Sequence, residues 1–170
     1  MFARPLARPV RLSLLLITVF AAGSCNRSVD VKQALEVVDT SSGWYDAGIV
    51  DGKNKIVPSI TFKLRKKPET DLSAIALNIA FRKVPAPGTD VEEPWEDVFL
   101  QRAEFKNGNE TDPLVVRLPN GYTGDPPQSR LEMLKNSQFR DVRARIFAKH
   151  SSSQWVEIGT VDVQRQLLVQ

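Results

Sequence analysis

Cys25 is the only cysteine and His150 the only histidine of the 170-residue chain, which narrows the chemistry its side chains can perform. One thiol and one imidazole do not make a zinc centre. His150 is followed by Ser151, Ser152 and Ser153. Nucleophilic catalysis needs a base and a buried orienting carboxylate converging in space on the hydroxyl, and His-Ser-Ser-Ser reads more simply as a hairpin turn. Asp46, Asp51 and Asn54 offer oxygen ligands without the spacing of a calcium loop. Glu92, Glu93, Glu96 and Asp97 crowd around Pro94, the pattern of a solvated acidic loop rather than of a paired acid and base. Gly43, Gly48 and Gly52 do not match a phosphate-binding loop. The expectation is a non-enzymatic protein with no catalytic residue, no metal and no cofactor.

A lone cysteine has one further use, as a lipid acceptor, and its surroundings point there. Arg4, Arg8 and Arg11 precede the apolar run from Leu12, and Ala21-Ala22-Gly23-Ser24 lead into Cys25. A basic head, a short apolar stretch and small residues at a cut site form a secretory signal. The run is too short to span a bilayer, which takes about 20 apolar residues. In this it resembles a bacterial lipoprotein signal, with Ala22 where that family commonly has Leu. The resemblance implies removal of residues 1–24, a lipid on Cys25, a short tether over 25–30 and a domain over 31–170. It also implies the bacterial cell envelope, with the domain facing the periplasm. Asn26 is not the Asp that retains some lipoproteins at the inner membrane, which favours the outer one. The competing readings are a plain secreted protein, with Cys25 a free thiol exposed to stray disulfide formation, and a signal anchor.

Charge excludes one partner class. Three of the 23 Lys and Arg lie in the leader and none of the 20 Asp and Glu does, so the remainder carries 20 of each. A neutral domain lacks the basic excess of a nucleic-acid binder. Its length falls in the commonest single-domain range, and no later stretch is apolar and long enough to cross a membrane.

Two surface features remain as candidates for binding. One is the solvent side of 141–149, where Arg143, Arg145, Phe147 and Lys149 alternate with Val142, Ala144, Ile146 and Ala148. Beside 72–84, that side would face Ala76, Asn78 and Ala80, a small-residue floor edged by cations and an aromatic ring, suited to a partner or an anionic headgroup. A covering loop, or pairing of the cations with exposed acids, would close it. The other is a pair of aromatic loops, 43–48 with Trp44 and Tyr45, and 119–128 with Tyr122, which either bind a ligand or plug the ends of the domain.

The elements that position these residues are strands. Ile60, Phe62 and Leu64 alternate with Thr61, Lys63 and Arg65, and Ile75, Leu77, Ile79 and Phe81 alternate with Ala76, Asn78 and Ala80. Strict alternation marks half-buried antiparallel strands. Strands are expected over 31–40, 56–66, 72–84, 95–103, 114–118, 141–149 and 155–168, the last bulged at Gly159. The second and third are read as a hairpin through 67–71. Ser129 with Glu132 forms a capping-box pattern for a short helix, and Asp51-Gly52 signals a turn. About seven strands separated by turn signals give an all-β, antiparallel, two-sheet sandwich of immunoglobulin-like type, with an open barrel as its rival. The Cys-Trp-Cys signature of antibody domains is absent. Residues 60–81 also resemble the strand-turn-strand of small FxLYD-like bacterial domains. The expected role is therefore a membrane-tethered envelope module that docks a protein partner through Arg143, Arg145 and Phe147 or through the loops of Trp44, Tyr45 and Tyr122. The alternative is a small-ligand carrier whose mouth is those loops. A carrier needs a pocket of about 300–1,000 Å³; a docking module does not.

Overall fold

The computed structural model describes residues 29–168 other than position 107. The leader, Cys25 and the first residues of the expected tether lie outside that range. Val29 already packs against the core. Val31–Ala34 form a single helical turn, α1, where a strand is expected. Asp30 causes it: its carboxylate accepts from the backbone N–H groups of Lys32 (3.1 Å) and Gln33 (3.3 Å), which is how a helix start is capped.

The first strand, β1, runs from Leu35 to Val50 and antiparallel to β2, Lys53–Lys66. Residues 43–48, expected as a loop, are thus part of a strand. Two bulges absorb the irregular sequence, one between Val38 and Ser41 and one between Asp46 and Gly48. Asp51 and Gly52 join the strands with φ of 50° and 77°, the double left-handed geometry of the tight hairpin turn for which Asp-Gly is suited.

The expected hairpin between the second and third apolar strands does not form. β3, Ala74–Lys83, pairs with β4, Glu93–Glu104, and with β7, Val142–Lys149, while β2 pairs with β1, with β5, Leu114–Arg117, and with β6, Tyr122–Gly124. The chain crosses between sheets at 67–73. Ile56, Ile60, Phe62 and Leu64 then face Ile75, Leu77, Ile79 and Phe81 across the core instead of lying beside them. A side-by-side hairpin would have left both apolar faces still in need of a cover.

Arg130–Leu134 form α2, with Ser129 and Glu132 in a reciprocal capping box: the Glu132 N–H donates to Ser129 Oγ and the Ser129 N–H to Glu132 Oε2. The expected last strand is split into β8, Val156–Asp162, and β9, Leu167–Leu168. β8 is bulged opposite the step from Ile146 to Phe147. Gly159 is required there, since a Cβ on it would lie 2.8 Å from Val37 of the other sheet.

The two sheets are ordered β5-β2-β1-β9, with β6 also on β2, and β4-β3-β7-β8. The chain is an all-β two-sheet sandwich, and the orders β1-β2-β5 and β4-β3-β7-β8 are those of an immunoglobulin-like arrangement. Among the described residues nine strands replace the expected seven; the additions are the three-residue β6 and the two-residue β9, too short to leave a periodic signal. β9 runs parallel to β1, so the pairing is antiparallel except there. Among the described residues no helix is long and apolar enough to cross a membrane.

Candidate interaction surfaces

The outward side of the β4-β3-β7-β8 sheet is laid out by register. Pairing sets Arg82 beside Arg143 and Asp162, Asp97 beside Ala80, Arg145 and Thr160, and Phe99 beside Asn78, Phe147 and Glu157; Ala76 and Lys149 follow. One half of the face is therefore ionic and the other aromatic.

In the ionic half the arginines are not free. Arg82 and Arg143 are like charges directly opposed, an unfavourable pair that surrounding acids offset. Arg82 donates to Asp97 (2.7 Å), and Arg143 to Asp162 (2.6 Å) and Glu92 (3.2 Å). Arg145 places both Nη2 (2.6 Å) and Nε (3.1 Å) on Glu157 and lies 3.8 Å from Glu92. Hydrogen bonding to Asp162 raises the Arg143 pKa. Burial pushes the Glu157 carboxyl up, but the hydrogen bonds from Arg145 and Thr160 outweigh it and hold that group below its ordinary range. The loop bearing Glu92 folds over these cations and leaves an open depression of about 630 Å³. Its arginines are already paired with acids, so Arg143 and Arg145 present little net field to an incoming anion.

The aromatic half is uncovered. Phe99 is 61% and Trp155 41% exposed, and their rings meet edge to face with centroids 6.2 Å apart. Trp155 just precedes β8 and Phe99 lies on β4 at the opposite edge; the small Ala76 and the half-buried Asn78 between them let the rings close over the sheet. Phe147 is half-buried beside them, 5.9 Å from the Arg145 guanidinium, and Lys149 Nζ lies 5.7 Å from the Trp155 ring centre, both within cation–π range. Among the described residues no carboxylate pairs with Lys149. Sequence reasoning identified Phe147 and Lys149 but missed Phe99 and Trp155. Parity groups Phe99 with Trp95, yet Trp95 packs on the core, because a shift in the β3–β4 register between Phe81 and Arg82 separates the two faces.

The other aromatics lie elsewhere. Trp44 has no exposed surface, so its ring cannot touch a partner. It packs against Phe139 (4.6 Å), Tyr122 (5.5 Å) and Trp95 (6.3 Å), and its buried Nε1 has no acceptor among the described residues. Tyr122 is half-buried in the same cluster, with its hydroxyl against the Arg140 backbone (3.2 Å from N). Tyr45, the next residue of β1 after Trp44, points to the other face of the same sheet, its ring covered by the Arg117 guanidinium at 3.8 Å. These three residues do not converge on one site. The concavity beside Tyr122, lined also by Met133 and Phe139, holds about 170 Å³, below the range of small-molecule pockets.

The remaining candidates for chemistry are accounted for locally. The His150 backbone N–H donates to Ser153 Oγ (3.1 Å) and the Ser153 N–H to the His150 carbonyl (3.0 Å), which closes a turn. Asp46 accepts from the Gly48 N–H (2.8 Å) and from Arg130 (3.0 Å). Among the described residues no three His, Cys, Asp or Glu side chains gather as metal ligands. Compared with protein-family models, with curated proteins and with solved structures, the chain matches none, so the immunoglobulin-like description rests on strand order alone.

Proposed function

We propose that the protein is a membrane-tethered envelope lipoprotein, held by a lipid on Cys25, that acts without catalysis as a docking module. The outer membrane is its favoured address, by the resemblance of residues 1–26 to lipoprotein signals. The observation that carries the docking reading is the uncovered aromatic half of the outward sheet face, Phe99, Phe147 and Trp155 with Lys149. Large exposed rings clustered on a flat face suit contact with another surface, since aromatic residues supply interface area at low entropic cost. The ligand-carrier alternative is less well supported. Its expected mouth is closed by the Trp44 cluster, and the depression of about 630 Å³ is lined mostly by charged side chains rather than apolar walls.

Hydroxyl-radical footprinting tests this in isolated envelopes. Phe99 and Trp155 should be protected in the wild-type protein and react freely in a Cys25→Ser variant released as a soluble species. Equal labelling of both rings in the two states would refute the docking face. A Cys25→Ser protein that stays on the membrane would refute the tether.

A further inference from the structure

The described residues begin beside the aromatic patch. Val29 packs on the core, Asp30 caps α1, and α1 lies against β8. Lys32 is close enough to Glu157 for their charges to interact. Glu157 is the cross-strand neighbour of Phe147 and stands two residues from Trp155. Cys25 precedes Val29 by four residues, a span of at most about 14 Å even when fully extended. A lipid on Cys25 therefore keeps the bilayer surface within that distance of the domain, on the side where β8 and the patch lie.

We infer that the bilayer itself occupies this face: Phe99, Phe147 and Trp155 settle into the headgroup region and Lys149 reaches a lipid phosphate. The inference rests on the lipid-tethered reading above. Its chemistry is that of an interfacial anchor, in which indole and phenyl rings sit at headgroup level beside Lys. A Lys ammonium over an anionic leaflet adds local attraction, and among the described residues no carboxylate pairs with Lys149. Size favours lipid over a protein partner. Three aromatic side chains bury at most about 250 Å² each, and these are already partly covered, so on their own they supply less than the roughly 800 Å² a side of a stable protein interface. A tethered domain needs far less, because the tether makes the second contact intramolecular.

The experiment uses the lipidated full-length protein in vesicles of phosphatidylethanolamine and phosphatidylglycerol whose acyl chains are brominated near the glycerol. Bromine quenches nearby indoles. Trp44 is fully buried and Trp95 half-buried against it, so a Trp155→Phe variant supplies the background. The wild type should lose a share of its emission that the Trp155→Phe protein does not, and Phe99→Ser/Phe147→Ser should lower the Trp155 quenching at least twofold while vesicle flotation is unchanged. Flotation without any quenching of Trp155 would overturn the inference and leave the tether intact. Footprint protection in envelopes combined with unquenched Trp155 in vesicles would assign the face to a protein partner instead. A protein that fails to float, or whose Cys25 is unmodified, would overturn both.

Discussion

Phe99 and Trp155 meet edge to face at 6.2 Å although two strands separate the elements that carry them. The contact is on the solvent side, so it tidies exposed apolar surface without filling a core. Phe99→Ser and Trp155→Ser should each shift stability by only about 0.5 kcal/mol, as for other exposed positions, when read by urea unfolding. A loss of several kcal/mol at either site would mean the pair belongs to the structural core rather than to a docking face.

Interior positions should behave differently. Phe62 and Ile79 are fully buried and face each other's sheets; truncation of either to Ala should cost about 2–5 kcal/mol. Lys63 pairs with Asp39 at the surface (2.8 Å), and Lys63→Ala should change the unfolding midpoint little. Equal losses at Phe62 and Lys63 would contradict the assignment of faces.

Trp44 gives a sharper test of the core. Its buried indole N–H lacks an acceptor among the described residues, and an unmade hydrogen bond costs roughly 1–3 kcal/mol. Trp44→Phe gives up ring volume but also removes that donor, so it should stay within about 1 kcal/mol of wild type, whereas Trp44→Ala should lose about 3–5 kcal/mol. Equal destabilisation by both substitutions would show that the N–H is satisfied.

Acid should weaken the outward face through Glu157. The carboxyl is held below its ordinary value of 4.5 by Arg145 and Thr160 despite burial. A depressed folded-state pKa stabilises the fold above the unfolded value, and that contribution disappears as pH falls through the folded one. Glu157→Gln should therefore be less stable than wild type near about pH 7, and the gap should shrink as pH falls below the ordinary value of 4.5 and through the lowered folded-state one. Thermal melts across that range measure it; a gap independent of pH would remove Glu157 from the account.

The sequence exposed the strands wherever apolar and polar residues alternate without interruption. Ile75, Leu77, Ile79 and Phe81, and Val142, Ala144, Ile146 and Ala148, could be assigned to the interior residue by residue, and all are buried as alternation requires, while Ala80, assigned outward, is covered as well. Pairing was less legible. Alternation says which side of a strand is apolar and not which strand lies beside it, so the second and third strands read as a hairpin although they face each other across the core. Bulges hid more: those around Asp39 and Gly48 concealed the continuity of β1, and the irregular step beside Trp95 concealed that Phe99 points outward. Of the binding candidates, Phe147 and Lys149 were readable from parity. That Arg143 and Arg145 could be closed off by a loop or by acids was readable too, but not which acids do it, because Glu92, Glu157 and Asp162 reach them from other parts of the chain. Trp44 looked like a loop aromatic only because Gly43 and Gly48 flank it.

The tether is the premise on which the docking face and the bilayer contact both depend. Mass spectrometry of the N-terminal peptide of the protein purified from membranes tests it most directly. The account predicts a chain that begins at Cys25 and carries acyl mass on that residue. An intact leader, or a Cys25 with a free thiol, would contradict it.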